Sequence, residues 1–125
     1  MRYRLPVYER NVDSIKLSAW AIKSTVKAGT PVDVPNGRQT FGSGCYSTWV
    51  CLYAPPSHPI LANIDDKGFI YVPCEPAETI ETDFTVTDWY TLDTSGLEGC
   101  AIHWQRSDCI GDEPRILGER LIRIE

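Results

Sequence analysis

The chain has 125 residues, 42% of them hydrophobic and 23% charged, the balance of one globular domain that can build its own core. Acidic residues number 17 against 12 basic ones, a net charge of -5, which argues against general nucleic-acid binding because that requires a basic footprint. No apolar run reaches the roughly 20 residues of a membrane span, and Met1–Pro6 lacks the apolar centre of a signal peptide, so a cytoplasmic protein is expected.

The first dozen residues mix Arg, Tyr and aliphatic side chains and read as an extended arm or edge strand. Asp13 or Ser14 can then cap a helix. Ile15, Ala19, Ile22 and Val26 recur at i, i+4, i+7 and i+11, one face of a helix. Gly29 and Pro31 would end it. The spacing therefore predicts a helix over residues 14–28. Val32–Val34 is β-like, and Pro35-Asn36-Gly37 reads as a turn. Tyr46–Tyr53 is aromatic and β-branched on both faces, as a central strand would be. Ile60–Ile64 and Phe69–Val72 read as strands around the turn Asp65–Gly68. Glu75–Glu81 reads as an acidic loop and Ser95–Gly99 as a turn. Cys100–Gln105 and Leu121–Ile124 are further strand candidates. The expected fold is α+β: one N-terminal helix packed on a mostly antiparallel sheet, in a single domain spanning 1–125.

The chemistry on offer is sparse. There is no phosphate-binding Gly-rich loop before a helix, no G-x-S-x-G and no H-E-x-x-H, so no enzyme is expected. The 5 cysteines without a secretion signal read as reduced thiols. Cys100, His103 and Cys109 are the one conceivable metal set, but no C-x-x-C pair accompanies them, and buried thiols are the simpler reading. No cofactor is implied. His103, beside Trp104, reads as a satisfied half-buried residue. Arg38 opens a polar Gly-rich segment, Arg38–Gly44, that is either a plain β-loop or a loop approaching a phosphate. The 4 Trp and 6 Tyr are more suggestive. Trp20 and Trp89 fit a core. Trp49 and Tyr53 share one strand face, either as part of a two-sided core or as a platform for a nucleobase.

Four blocks in order carry a resemblance. They are Val26-Lys27-Ala28-Gly29-Thr30-Pro31-Val32, Trp49–Ser57 ending in a P-x-S turn, the Asp66-Lys67-Gly68-Phe69-Ile70 hairpin, and Thr82–Trp89 with its T-D-x-x-x-x-D-W spacing. Across about residues 14–92 the chain resembles the phage Thoeris anti-defence type II family. Cys74 stands where that family usually carries a Trp between two prolines. Residues 1–13 would then be an N-terminal arm and residues 93–125 a C-terminal β extension.

The resemblance implies a homo-oligomeric counter-defence protein. It would sequester a nucleotide-derived immune signal, glycocyclic ADP-ribose or a cyclic oligonucleotide, without cleaving it. Arg38 and Arg106 are then candidate anion ligands and Trp49 and Tyr53 candidate stacking residues. Thr82 and Asp83 match the motif and would bond ribose hydroxyls; capping of a helical turn is their structural alternative. An acidic inhibitor or adaptor acting on a host protein is the other reading, and an enzyme using the acidic residues between Asp65 and Asp88 a third.

Overall fold

The computed structural model describes residues 1–39, 45–81, 85–110 and 113–125, and side chains outside 37–47, 81–86 and 107–117. The architecture is mostly β. Eight strands form one curled sheet: β1 (Arg2–Glu9), β2 (Ile22–Val26), β3 (Val32–Gln39), β4 (Cys45–Ala54), β5 (Phe69–Glu81), β6 (Thr85–Leu92), β7 (Ala101–Ile110) and β8 (Glu113–Ile124). Their order is β2-β8-β7-β4-β1-β5-β6-β3. β1 runs parallel to β4 and β2 parallel to β8. The remaining pairs are antiparallel.

The expected α+β fold is therefore corrected. Among the described residues there is no α-helix, and the helix expected over 14–28 does not form. Residues 12–14 make one 3-10 turn, and Ile22–Val26 is strand. Ile15, Ala19, Ile22 and Val26 do not share a buried face, and Ile22 is 61% exposed. Two properties explain the outcome. Ile22, Thr25 and Val26 are β-branched and lose side-chain freedom in a helix. β8 also offers this segment a complete ladder, from Ile22 opposite Arg120 to Val26 opposite Ile124. A four-position apolar pattern is too thin to outweigh that pairing.

Other expectations shift in the same direction. Ile60–Ile64 is not a strand: Pro59–Asn63 is a 3-10 turn capped by His58, whose ring nitrogen accepts from the Ile60 N–H. The Asp65–Gly68 turn stands where expected. The Asp65 carboxylate accepts from the Lys67 and Phe69 N–H groups at 2.9 and 3.0 Å, and Gly68 takes φ 85°, the conformation that suits glycine. Pro35-Asn36-Gly37 runs inside β3, and the acidic stretch 75–81 continues β5 past a bulge at Pro76/Glu78. Residues 2–9 lie in the middle of the sheet, and β7 and β8 supply half of one wall.

Alternation divides the strands into an inner and an outer face. Leu5, Val50, Leu52, Ile102 and Ile122 point inward with Val34, Val72 and Leu92 to form the main core. β4 is buried on both faces at Cys51 and Leu52, as its aromatic and β-branched sequence predicted. Trp20, expected in the core, is 54% exposed because its segment runs over the surface instead of forming a helix. No helix among the described residues is long and apolar enough to cross a membrane.

This architecture separates two substitutions. Leu52→Ala empties a fully buried site and should cost about 2–5 kcal/mol in denaturant unfolding. Ile22→Ala should change stability by no more than about 0.5 kcal/mol. A core-sized loss at Ile22 would indicate that a helix buries it after all.

Candidate ligand-binding face

The outer face is where chemistry-bearing side chains gather. β1 alternates strictly: Tyr3, Leu5 and Val7 go inward, while Arg2, Arg4, Pro6 and Tyr8 go outward. Tyr8 pairs in register with Tyr53 on β4, and Trp49 lies on the same face of β4. The Tyr8 and Trp49 rings stack at 5.8 Å between centroids with 27° between planes. Tyr8 and Tyr53 sit 6.0 Å apart, and Tyr53 stacks on His103 at 6.0 Å. The result is one aromatic row, Trp49–Tyr8–Tyr53–His103, crossing β4, β1 and β7. Its outer end is open: Trp49 is 43% and Tyr8 41% exposed. Along the same strand, the Arg2 guanidinium lies 4.6 Å from the Tyr71 ring centre and that of Arg4 lies 3.7 Å from Phe69. Cations over ring faces and open rings thus share one surface.

The inner end of the row is closed by a hydrogen-bonded pair. His103 Nε2 and Glu119 Oε1 are 2.9 Å apart, and both side chains are buried. The other carboxylate oxygen accepts the Ser18 N–H at 3.1 Å. Asp13 and Arg123 meet at 2.6 Å. These contacts fasten the irregular segment 10–20 over the outer face of β7 and β8, which is why His103 and Leu121 are buried on a face that would otherwise meet solvent. Burial pushes the Glu119 carboxyl up, but bonds from Ser18 and His103 and the nearby imidazole outweigh it, so it titrates below its ordinary value of 4.5.

Two groups of this face, Cys51 and Tyr53, hold their protons more tightly than usual. Burial pushes the Cys51 thiol up to about 11, against bonds from Trp49 and Tyr53. Burial also pushes the Tyr53 phenol up to about 12, with Cys51 adding to it. Cys51 stands opposite His103 in the β4–β7 ladder, yet a thiol so far from ionised is a poor nucleophile near neutral pH. What the face presents is stacking surface, a phenol hydroxyl and guanidinium groups.

The candidate site residues distribute as follows. Trp49 and Tyr53 come together, with Tyr8 between them. Arg106 does not join them: it pairs in register with Thr48, on the opposite face from Trp49. Its Nη2 donates to Thr87 Oγ1 at 2.8 Å, and burial lowers its affinity for the proton. Arg38 is placed on β3 opposite Val86, and its side chain lies outside the described ones. Thr82 and Asp83 lie outside the described residues altogether. Trp89 meets Trp104 edge-on at 5.8 Å.

The sequence reading missed Tyr8, Arg2 and Arg4, although the two-residue alternation of Arg2–Tyr8 was available to show them. It missed Glu119 because nothing local announces a partner 16 residues from His103. Among the described residues no three ligating side chains group as a metal site. Cys100 belongs to the inner core, whereas His103 is on the outer face.

A cavity of about 480 Å³ lies elsewhere, beside Pro73, Cys74, Leu92 and the acidic Glu75 and Asp93. Two carboxylates on its wall make it a poor receptacle for a phosphate. Comparisons with protein-family models, with curated proteins and with solved structures find no match to this chain.

The lowered Glu119 carboxyl fixes a pH dependence. Its contribution to stability is complete above 4.5 and is lost as pH falls through the lower folded-state value. Glu119→Gln should therefore destabilise the protein at neutral pH and flatten the acid limb of its stability curve. Glu119→Ala also removes the partner of the buried His103 Nε2 and of the partly buried Ser18 N–H, and an unpartnered buried group costs about 1–3 kcal/mol. Urea unfolding from pH 7 down to pH 3 measures both.

Proposed function

We propose that this chain is a non-catalytic binder of a nucleobase-bearing ligand, held by stacking on the outer aromatic row of β1 and β4. The observation that carries the reading is the stacked Tyr8–Trp49 pair, two large rings left open to solvent on a sheet face. Such rings give up hydrophobic stabilisation unless something covers them. Aromatic platforms accept any base because every base has a π-face. Arg2 and Arg4 emerge on the same face over Tyr71 and Phe69, and because Arg4 also pairs with Asp65 at 3.7 Å, Arg2 is the better candidate for a ligand phosphate. The protonated Cys51 thiol supports binding rather than covalent chemistry.

Cyclic nucleotide signals are the first candidates for the ligand, as the sequence resemblance implies. Within that proposal the protein acts in counter-defence by retaining the signal intact. The site differs from the one expected at the outset. Tyr8, Trp49 and Tyr53 form the platform, and Arg106 takes no part in it.

The test is calorimetric titration with cyclic ADP-ribose isomers and cyclic di-adenylate, followed by mass spectrometry of the ligand released on heating. Trp49→Ala and Tyr8→Ala should each weaken binding by about 5- to 150-fold, the effect of losing one base–aromatic contact of about 1–3 kcal/mol. The ligand should be recovered unchanged. Binding that survives both substitutions, or recovery of a cleaved ligand, contradicts the reading.

A further inference from the structure

The sheet curls without closing. Its two edge strands, β2 and β3, are joined by residues 27–31 and approach each other, leaving a cavity of about 220 Å³ in the seam. Ser24 and Val26 of β2, Val32 and Asp33 of β3, and Arg120 and Ile122 of β8 line it. This seam is on the opposite side of the sheet from the aromatic row. Ile22, Ser24 and Val26 share the inner face with Arg120 and Ile122, their register partners on β8.

Two polar atoms of this cavity are buried and unsatisfied. Arg120 Nε and Ser24 Oγ reach neither solvent nor a hydrogen-bond partner among the described residues. Buried donors without partners are rare in native proteins because each costs the desolvation of the group. Arg120 as a whole is half-buried, and its Nε is the part cut off from water. The Asp33 side chain lies on the opposite face of β3 from the buried Val32 and Val34, where it accepts from Thr91 Oγ1 at 2.6 Å, and among the described residues no carboxylate forms an ion pair with Arg120.

We propose that the β2–β3 seam binds a small oxyanion, a phosphate or carboxylate group, on Arg120 and Ser24. The Nε edge of a guanidinium offers two parallel N–H donors that match two oxygens of such a group. The Ser24 hydroxyl supplies a third donor. Size selects a small ion: 220 Å³ is below the roughly 300–1,000 Å³ of sites for larger organic ligands. Occupation would satisfy both orphaned donors and bridge the two unpaired edges, so binding should stabilise the fold.

The test is thermal unfolding of the full chain in sodium phosphate, sodium acetate or sodium chloride at matched ionic strength. The Trp104 indole N–H resonance is followed in parallel, because Trp104 stands opposite Arg120 in the β7–β8 ladder. Phosphate or acetate, whichever fits, should raise Tm saturably by about 2–6 °C relative to chloride and shift the indole resonance over the same concentration range. A response to phosphate alone assigns a phosphate site, and a response to acetate alone a carboxylate site. Arg120→Gln should raise the half-saturating concentration at least 10-fold.

Should that variant fold poorly, Ser24→Ala, a small change on a short edge strand, should raise it about 3- to 10-fold. Trp49→Ala, on the other face, should leave the response unchanged, which separates this site from the aromatic row. Equal Tm in all three salts overturns the proposal. So does a response that Arg120→Gln and Ser24→Ala leave intact. Loss of stability in Asp33→Asn with no effect of either anion also overturns it, because Arg120 is then paired internally.

Discussion

The pairing of residues 2–9, first with β5 and then with β4, holds the molecule together as one sheet. β1 bonds to β5 over Arg2–Pro6 and to β4 over Val7–Glu9. Among the described residues it is the one link in strand order between the β4-β7-β8-β2 half and the β5-β6-β3 half. The change of partner falls at Pro6, which has no N–H to give, and the next amide, that of Val7, donates to Gly68 in the adjacent turn at 2.9 Å. A strand places alternate residues on opposite faces of its sheet. Leu5 therefore plugs the core, and Arg4 and Tyr8 emerge on the outside.

The outer aromatic row follows from that constraint. Tyr8 stands beside Tyr53 because β1 and β4 are in parallel register. Tyr53 reaches His103 because β4 and β7 are in antiparallel register. The row is exposed at Trp49 and Tyr8 and sealed at His103, where Glu119 and the segment 10–20 cover it. One end is thus buried and the other, where Tyr8 and Trp49 stack on each other, is open to solvent. The inner face follows a different logic. There the curl brings β2 and β3 together without pairing them and leaves Arg120 in the seam.

Much of the β structure was legible in the sequence, and the reasons for the misses are physical. β4 was recognisable from Tyr46–Tyr53 because a strand buried on both faces needs apolar side chains at successive positions. The Asp65–Gly68 turn was recognisable because its Asp and Gly each do a local job. The 14–28 segment was misread because Ile15, Ala19, Ile22 and Val26 fit helical spacing while their partner, β8, lies about a hundred residues away. Val32–Gln39 and Phe69–Glu81 were cut short at proline and acidic residues that edge positions and a bulge tolerate. For the site, Trp49 and Tyr53 were found from their shared parity. Arg106 was joined to them on residue type alone, and parity separates it. The N-terminal arm concealed the most informative alternation in the chain, Arg2 to Tyr8, because strands are recognised by their apolar residues and this one presents arginines.

Amide hydrogen exchange of residues 2–9 tests this account most directly. Pairing first with β5 and then with β4 predicts that the amides of Tyr3, Leu5, Tyr8 and their bonded neighbours exchange as slowly as those of β4 and β7, through global unfolding. Fast exchange, like that of a frayed terminus, would mean that β1 is not the centre of the sheet. The aromatic face built on it would then not exist in the form described.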